Sequence, residues 1–597
     1  MQPENQTAGS IEKRKRLTRL HKVVFLFVLF IHAALVVYQD CWNSPNVDEV
    51  GHLPAGVAVW KYGRHDMYSV NPPLVKTIAS LPAAFEDVKV DWSRDDRGSF
   101  RRPEWDVGKD FINANADDWF RWFQYGRLML LPLSLLGGIV CFLWARELYG
   151  NSSGLVAFVM WCFSPNVLAW GASITPDMAA TSLGLLASWL FWRWLKSPGF
   201  LNAFLAGMGL GIVELAKMSW IILFVLWPLL WILWKAIHSD ASSFQIGIQP
   251  TTRKPVSTKT ELGQLCLILM LGLFLLNAGY GFQGSFTPVE AYTFGTRTLA
   301  GKDNSVDNGP GGNRFRGTVL GKVPVPLPKD YVQGIDLQKL DFERMRPCFF
   351  EGQWRERGGW WHFYLVGTFY KEPAGYLAMG GLALLLTCLL LQYRQQWRDE
   401  LLLLIPGVAL LILISSQTGF TIYLRYVLPV YPFFYICVSK VVQPVPHTTI
   451  KTPLLLTTAV LLSWSIYSSL AVYPHSLSFA NEFAGGPENG YRHLPAECFD
   501  FGQNLFYLKS WYEEHPEARP CYFRLPSNID RERFSLEPDH WPDRNHEGRL
   551  PSGWYVVSTK LLFARNHMEY QTLLENHDPV EKIGQTLWIY HITEEED

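Results

Sequence analysis

The sequence predicts a polytopic α-helical membrane protein with about eleven transmembrane helices, large extracytoplasmic loops and a small α/β C-terminal domain. Three observations carry this expectation. Apolar residues make up 49% of the 597 residues and fall in blocks, whereas only 18% are charged. The blocks run to about 20 residues, the length of a helix that spans a bilayer. Basic residues gather at alternate ends of the blocks, as retention of positive charge on the cytoplasmic side requires.

In chain order the blocks lie near 20–39, 124–145, 154–172, 176–195, 201–217, 219–237, 262–280, 373–392, 400–416, 424–441 and 453–472. Lys13-Arg14-Lys15-Arg16 precede the first and set a cytoplasmic N-terminus. With a net charge of -1, that run reads as a topology signal and not as a nucleic-acid patch, so no nucleic-acid partner is expected. The first block is too long for a removable signal peptide and lacks a small-residue cleavage site, so it is expected to stay as an anchor. Alternation then puts Arg146, Arg193, Lys196, Lys235, Arg253, Lys254, Lys259, Arg394, Arg398, Lys440 and Lys451 on the inside.

An odd number of spans carries the tail outside. Two loops, near 40–123 and 281–372, share that face with it, and loops of this length are usually functional. The chain therefore divides into a membrane domain over 1–472 and an extracytoplasmic α/β domain over 473–597. Within the first loop, residues 72–82 form a short amphipathic stretch suited to the interface. In the tail, runs at 520–523, 554–558 and 586–592 read as strands, and 503–514 reads as a helix. The implied location is the inner or plasma membrane, with membrane lipids as the surrounding partner.

Nine cysteines contain no CxxC pair, which excludes a zinc ribbon or a thioredoxin-like motif. Cys141, Cys162, Cys266, Cys388 and Cys437 fall in apolar blocks as packing residues. Cys498 and Cys521 are near enough in sequence for a disulfide, which sequence alone does not establish.

Chemistry-bearing residues collect on the outer face. Asp48 and Glu49 follow the first span and are the leading catalytic candidates. A purely structural role is also open to them, since acids in a first helical turn are favoured by the helix dipole. Asp177 opens the fourth span in Thr175-Pro176-Asp177, where an N-cap and a first-turn proline offer the same structural alternative. Arg127, Lys217 and Arg425 stand at a similar level. Each could simply snorkel to the interface, yet together they suit a lipid-linked phosphate. His52, His65, His362 and His475 are outside as well, at spacings that match no metal motif. No cofactor is demanded, and a divalent metal is left open.

Several stretches resemble the GT-C glycosyltransferases. They are the acidic pair after the first span, Pro72-Pro73-Leu74, Pro176-Asp177, and Arg425-Tyr426-Val427-Leu428-Pro429-Val430-Tyr431-Pro432. Within that superfamily the chain is similar to the protein O-mannosyltransferase and aminoarabinose-transferase group. Gly358-Gly359-Trp360-Trp361-His362, Lys371-Glu372-Pro373 and the tail from Tyr473-Pro474-His475 through Asp500-Phe501-Gly502-Gln503-Asn504 resemble a bacterial subgroup with an extracytoplasmic C-terminal domain. Departures are Val70-Asn71 before the proline pair and Glu497-Cys498-Phe499 before Asp500.

The resemblance implies an inverting transferase using a polyprenyl-phosphate sugar, with mannose favoured, and a protein, lipid or glycan acceptor. Asp48 would act as base, with Glu49 and Asp177 positioning or tuning it, while Arg127, Lys217 and Arg425 hold the donor phosphate. Tyr491, Asp500 and Gln503 would serve acceptor recognition in the tail. Two other functions compete. A catalytically silent assembly protein could use the same fold, and a lipid-linked sugar flippase would also place charges in spans. No inverted repeat supports the flippase.

Overall fold

The computed structural model describes residues 17–96, 100–239, 256–306, 309–444, 451–537, 541–542, 550–563 and 568–593. The basic run at residues 13–16, together with Arg253 and Lys254, lies outside the described residues. Each apolar block holds helix, but the blocks are not equivalent. Among the described residues, five helices are long and apolar enough to cross a membrane: Arg19–Trp42, Trp119–Tyr149, Met218–His238, Thr258–Gly279 and Thr452–Val472. A sixth arises if Phe363–Lys371 and Ala374–Leu389, bent by 112°, count as one. The bend falls at Glu372-Pro373, where Glu372 is extended as a residue before proline prefers to be.

The expected count of about eleven therefore exceeds what length and composition support. The other blocks depart for local reasons. The block at 154–172 breaks where Ser164 caps a new helix, Pro165–Trp170. The helix Phe200–Glu214 has 15 residues, and Trp397–Ser415 carries Asp399 and Glu400 in its first turn. The block at 424–441 winds as a 3₁₀ turn, Leu424–Val430, before Tyr431–Val438 continues as α-helix.

Seven helices position the site. They are α1 (Arg19–Trp42), α2 (Val47–Tyr62), α3 (Pro73–Ala84), α4 (Trp119–Tyr149), α5 (Pro176–Lys196), α6 (Lys329–Glu343) and α7 (Leu505–Glu514). Asn46 starts α2, its side chain accepting from the Asp48 and Glu49 amides at 3.1 Å each. Glu49 Oε2 accepts from the Asn46 amide at 2.9 Å, which completes a capping box. Further along, Gly56 lets α2 meet α3, because a Cβ there would lie 1.9 Å from the Lys76 carbonyl oxygen.

The loop between Thr258–Gly279 and Phe363–Lys371 contributes α6 and a hairpin of β1 (Cys348–Phe350) and β2 (Gln353–Arg355). The tail forms a sheet of β3 (Cys521–Arg524), β4 (Gly553–Ser558), β5 (Glu581–Ile583) and β6 (Leu587–Ile592) in the order β3-β4-β6-β5. β3 and β4 are parallel and the other pairs antiparallel. The three expected strand runs and the expected helix lie on β3, β4, β6 and α7; the three-residue β5 was too short to leave a pattern.

Alternation on β4 divides the tail's packing. Tyr555 and Val557 belong to a local cluster with Tyr590 and Leu573, while Val556 faces the main core. That core runs without interruption from Trp144 and Trp161 among the helices to Phe501 and Leu508 of the tail.

Gly56→Ala should push α2 and α3 apart and cost about 1–3 kcal/mol, the usual range for overpacking. Thermal unfolding of the purified protein measures it, with Gly199→Ala as control because nothing lies within 4 Å of a Cβ there.

Candidate active site

Asp48 stands in the first turn of α2, with its carboxylate turned toward an arginine 377 residues away in sequence. Arg425 Nη2 donates to Asp48 Oδ2 at 2.5 Å. Its Nη1 lies 3.4 Å from Asp177 Oδ2, and Lys217 Nζ contacts Asp177 Oδ1 at 2.5 Å. Four charges thus alternate in the order Asp48, Arg425, Asp177, Lys217. Arg425 Nε and Nη1 and Asp177 Oδ2 have no hydrogen-bond partner among the described residues, so the 3.4 Å approach is ionic only.

The Arg425 side chain is 6% exposed and sits among aromatic rings. Its guanidinium carbon lies 4.8 Å from the Phe501 ring centre, 4.9 Å from Tyr423, 5.1 Å from Trp170 and 5.9 Å from Tyr426. Ring faces attract a desolvated cation, which offsets part of the cost of burial. Burial alone would raise the Asp48 pKa. The Arg425 charge, helped by His52 and the Tyr68 hydroxyl, outweighs it and holds the carboxyl below the usual carboxylate range.

Asp48, Asp177, Lys217 and Arg425 all line one cavity of about 480 Å³. Met218, Ile221, Ile335, Leu413 and Ile414 give it an apolar side, and Lys339, Asp341, Arg346 and Gln417 a polar one. Five cationic side chains, Arg102, Lys217, Lys339, Arg346 and Arg425, face three carboxylates, Asp48, Asp177 and Asp341. The balance favours an anion.

Glu49 and Arg127 are not brought to this cavity. Arg127 Nε and Nη2 grip Glu49 at 2.9 and 2.6 Å. The remaining Arg127 donors reach the Asp40, Asn43 and Ser44 carbonyls at 2.8, 2.7 and 3.2 Å. Glu49 Oε1 also accepts from the Ile174 amide at 2.9 Å. Burial would raise the Glu49 pKa, but Arg127 and the two amides pull it below the ordinary value. Every donor of Arg127 is thus directed at protein, where a free phosphate contact had been expected. The pair fixes the bend between α1 and α2 and ties it to the chain just before Asp177.

The tail residues also lie away from the cavity. Tyr491 stacks on Phe563 at 4.1 Å and meets Trp588 edge-on at 5.4 Å. Asp500 accepts from the Gly502 amide at 2.9 Å and from the Ser558 hydroxyl. Gln503 Oε1 accepts from the Phe501 amide at 2.7 Å, and Nε2 donates to the Phe499 carbonyl at 2.9 Å. These bonds shape a loop that docks on the start of α2, with the Ser44 amide donating to Gln503 O at 3.0 Å and the Val47 amide to Phe501 O at 3.2 Å.

His52 is buried with its ring 4.3 Å from Tyr68, and burial pushes its pKa down to about 3. Among the described residues no three His, Cys, Asp or Glu side chains group as metal ligands. Cys498 and Cys521 are both free thiols.

Sequence reasoning missed Tyr68, Arg102, Lys339, Arg346 and the Trp170 and Tyr423 walls around Arg425. Only Tyr423, two residues before Arg425, left a visible signal.

No family model matches the chain, and no curated protein matches it either. Among solved structures it is similar to ArnT from Cupriavidus metallidurans in the apo state, with TM-score 0.42 and 11% identity over 96% of this chain and 98% of that one. The same protein bound to undecaprenyl phosphate gives TM-score 0.41 and 10% identity over 97% and 98%. The archaeal oligosaccharyltransferase AglB from Archaeoglobus fulgidus, in complex with an inhibitory peptide and a dolichol-phosphate, gives 0.35 and 12% over 88% and 62%. Likenesses this distant carry no functional weight, which falls on the site itself.

Glu49→Gln should lower stability by about 3–5 kcal/mol, because it leaves Arg127 buried without its counter-charge. Denaturant or thermal unfolding measures this, and Asp48→Asn at the cavity should cost less. Arg425→Gln should raise the Asp48 pKa, since the main charge opposing burial is then gone. In the native protein the lowered Asp48 pKa supplies stability that is present above the unfolded pKa and lost as pH falls through the folded pKa. Arg425→Gln should remove that contribution, so that stability falls less on acidification. A shallower loss of stability on acidification in Arg425→Gln than in the native protein, matched by Asp48→Asn alone, checks the assignment.

Proposed function

We propose that this chain is a membrane glycosyltransferase that moves a sugar from a polyprenyl-phosphate donor to an acceptor hydroxyl on the outer face. One observation carries the proposal: an ionised carboxylate, Asp48, shares a cavity with Lys217 and Arg425 beside an apolar wall of Met218, Ile221, Leu413 and Ile414. An amphiphile with an anionic head matches that combination. Met218 and Ile221 open a helix long enough to span a bilayer, so a lipid chain reaches the apolar side from the membrane.

In this scheme the donor phosphate competes with Asp48 for Arg425. As the guanidinium turns to phosphate, Asp48 loses its counter-charge and becomes a stronger base. It then takes the acceptor proton as the hydroxyl oxygen attacks the anomeric carbon from the face opposite the phosphate, a role within reach of a carboxylate that bonds the hydroxyl directly. The sugar–phosphate C–O bond breaks, and polyprenyl phosphate leaves with its added charge held by Arg425 and Lys217. A single displacement inverts the anomeric centre. Asp177 keeps Lys217 and Arg425 oriented. Mannose as the sugar, and a protein, lipid or glycan as the acceptor, follow from the sequence resemblance alone.

A catalytically silent assembly protein is the second reading. The close pairing of Asp48 with Arg425 and of Asp177 with Lys217 favours it, because the charges at that end of the cavity already satisfy one another.

Incubating the purified protein with a panel of polyprenyl-phosphate sugars and envelope extract, with products identified by mass spectrometry, decides between them. Transfer is expected, and Asp48→Asn should slow it by about 10²–10⁴-fold, the range for a general base. Folded protein that transfers from no donor would leave the silent assembly role.

A further inference from the structure

Three of the five cavity cations are closely paired. Lys217 and Arg425 each meet a carboxylate at 2.5 Å, and Arg102 meets Glu104 at 2.5 Å and Asp341 at 3.1 Å. Lys339 and Arg346 differ. Lys339 Nζ donates to the neutral Gln417 amide oxygen at 3.1 Å. Arg346 lies 4.0 Å from Asp341, beyond hydrogen-bond distance, in a carboxylate already bonded to Arg102. The surplus positive charge of the cavity therefore resides on this wall.

The wall is built without a carboxylate holding either cation. Gly419 approaches the end of α6 so closely that a Cβ would lie 1.7 Å from the Phe342 carbonyl oxygen. The Arg346 amide donates to the Gly419 carbonyl at 3.0 Å, and the Gly358 amide to the Arg346 carbonyl at 3.2 Å. The guanidinium rests over the Phe420 ring at 5.0 Å. The Arg346 side chain is 50% exposed, in contrast to 6% for Arg425. Arg346, only loosely paired, thus stands at the exposed mouth of the cavity, and half-buried Lys339, one helical turn from Ile335, lies between it and the apolar side.

We propose that Lys339 and Arg346 form a seat for an anionic group, a carboxylate or a phosphate, on an acceptor that arrives from water. The seat is separate from the Lys217 and Arg425 end and rests on the transferase proposal above. Arg346 supplies a planar fork and Lys339 a point charge, a pairing that suits either oxyanion.

The test uses purified protein in nanodiscs, titrated with glucose, glucuronic acid and glucose 6-phosphate, with undecaprenyl phosphate binding measured in parallel. The acidic sugars should bind about tenfold or more tightly than glucose, as one charge-assisted contact provides. Whichever of the two binds better identifies carboxylate or phosphate as the recognised group. In Lys339→Gln with Arg346→Gln the preference should vanish, while undecaprenyl phosphate affinity stays within about twofold. Each single variant should lose part of the preference, which guards against a double variant that fails to fold. Equal binding of acidic and neutral sugars, a preference that survives the double variant, or loss of undecaprenyl phosphate affinity in its place would overturn the seat. Protein that prefers acidic sugars yet transfers from no polyprenyl-phosphate donor would keep the anion seat and reject the transferase.

Discussion

A guanidinium taken out of water costs several kcal/mol even after the protein relaxes around it, so Arg425 is sustainable only where compensation is gathered from all sides. Asp48 comes from the start of α2, Asp177 from the start of α5, Trp170 from the end of the short helix Pro165–Trp170, and Phe501 from the tail. The same contacts that offset the burial of one cation hold these parts of the chain at one point. Electrostatics of the site and assembly of the fold are therefore a single interaction. An anion that engages Arg425, through its unpaired N–H groups or in place of a carboxylate, draws the guanidinium charge away from Asp48, which links ligand binding to the basicity of Asp48.

Adjacent residues meet opposite fates here. Asp48 and Glu49 differ by one methylene and about 100° around the helix axis. Glu49 turns inward, closes the capping box and binds Arg127 and the Ile174 amide, with all its lone pairs directed at protein. Asp48 turns to the cavity and meets a cation that keeps unpaired N–H groups. The inner pair makes the outer one accurate, because it fixes the backbone on both sides of it. Phe501 does the same from above, its carbonyl accepting the Val47 amide while its ring covers Arg425.

Much of this was legible in the residues. Apolar blocks located the helices, alternation at 554–558 and 586–592 located the central strands, and Asp48, Asp177, Lys217 and Arg425 were placed at a common level before any contact was known. Length and composition support five or six spans among the described residues where about eleven were expected, because apolar composition marks burial in protein as well as exposure to lipid: α5 is apolar and enclosed by its neighbours. Arg127 was misplaced for a related reason. A cation at the membrane surface looks the same in sequence whether it meets a ligand or backbone carbonyls.

What the sequence determined by itself is the chemistry available: carboxylates after the first apolar block and at the start of the fourth, and cations near them, located by hydrophobic length and charge asymmetry. Tertiary structure alone decided which of those groups meet. Pairing between residues 48 and 425, the aromatic enclosure of Arg425, and the second basic wall at Lys339 and Arg346 depend on contacts between segments far apart in the chain. Local periodicity reports which face of an element is apolar, but carries no record of the partner that face or its neighbouring charges will find.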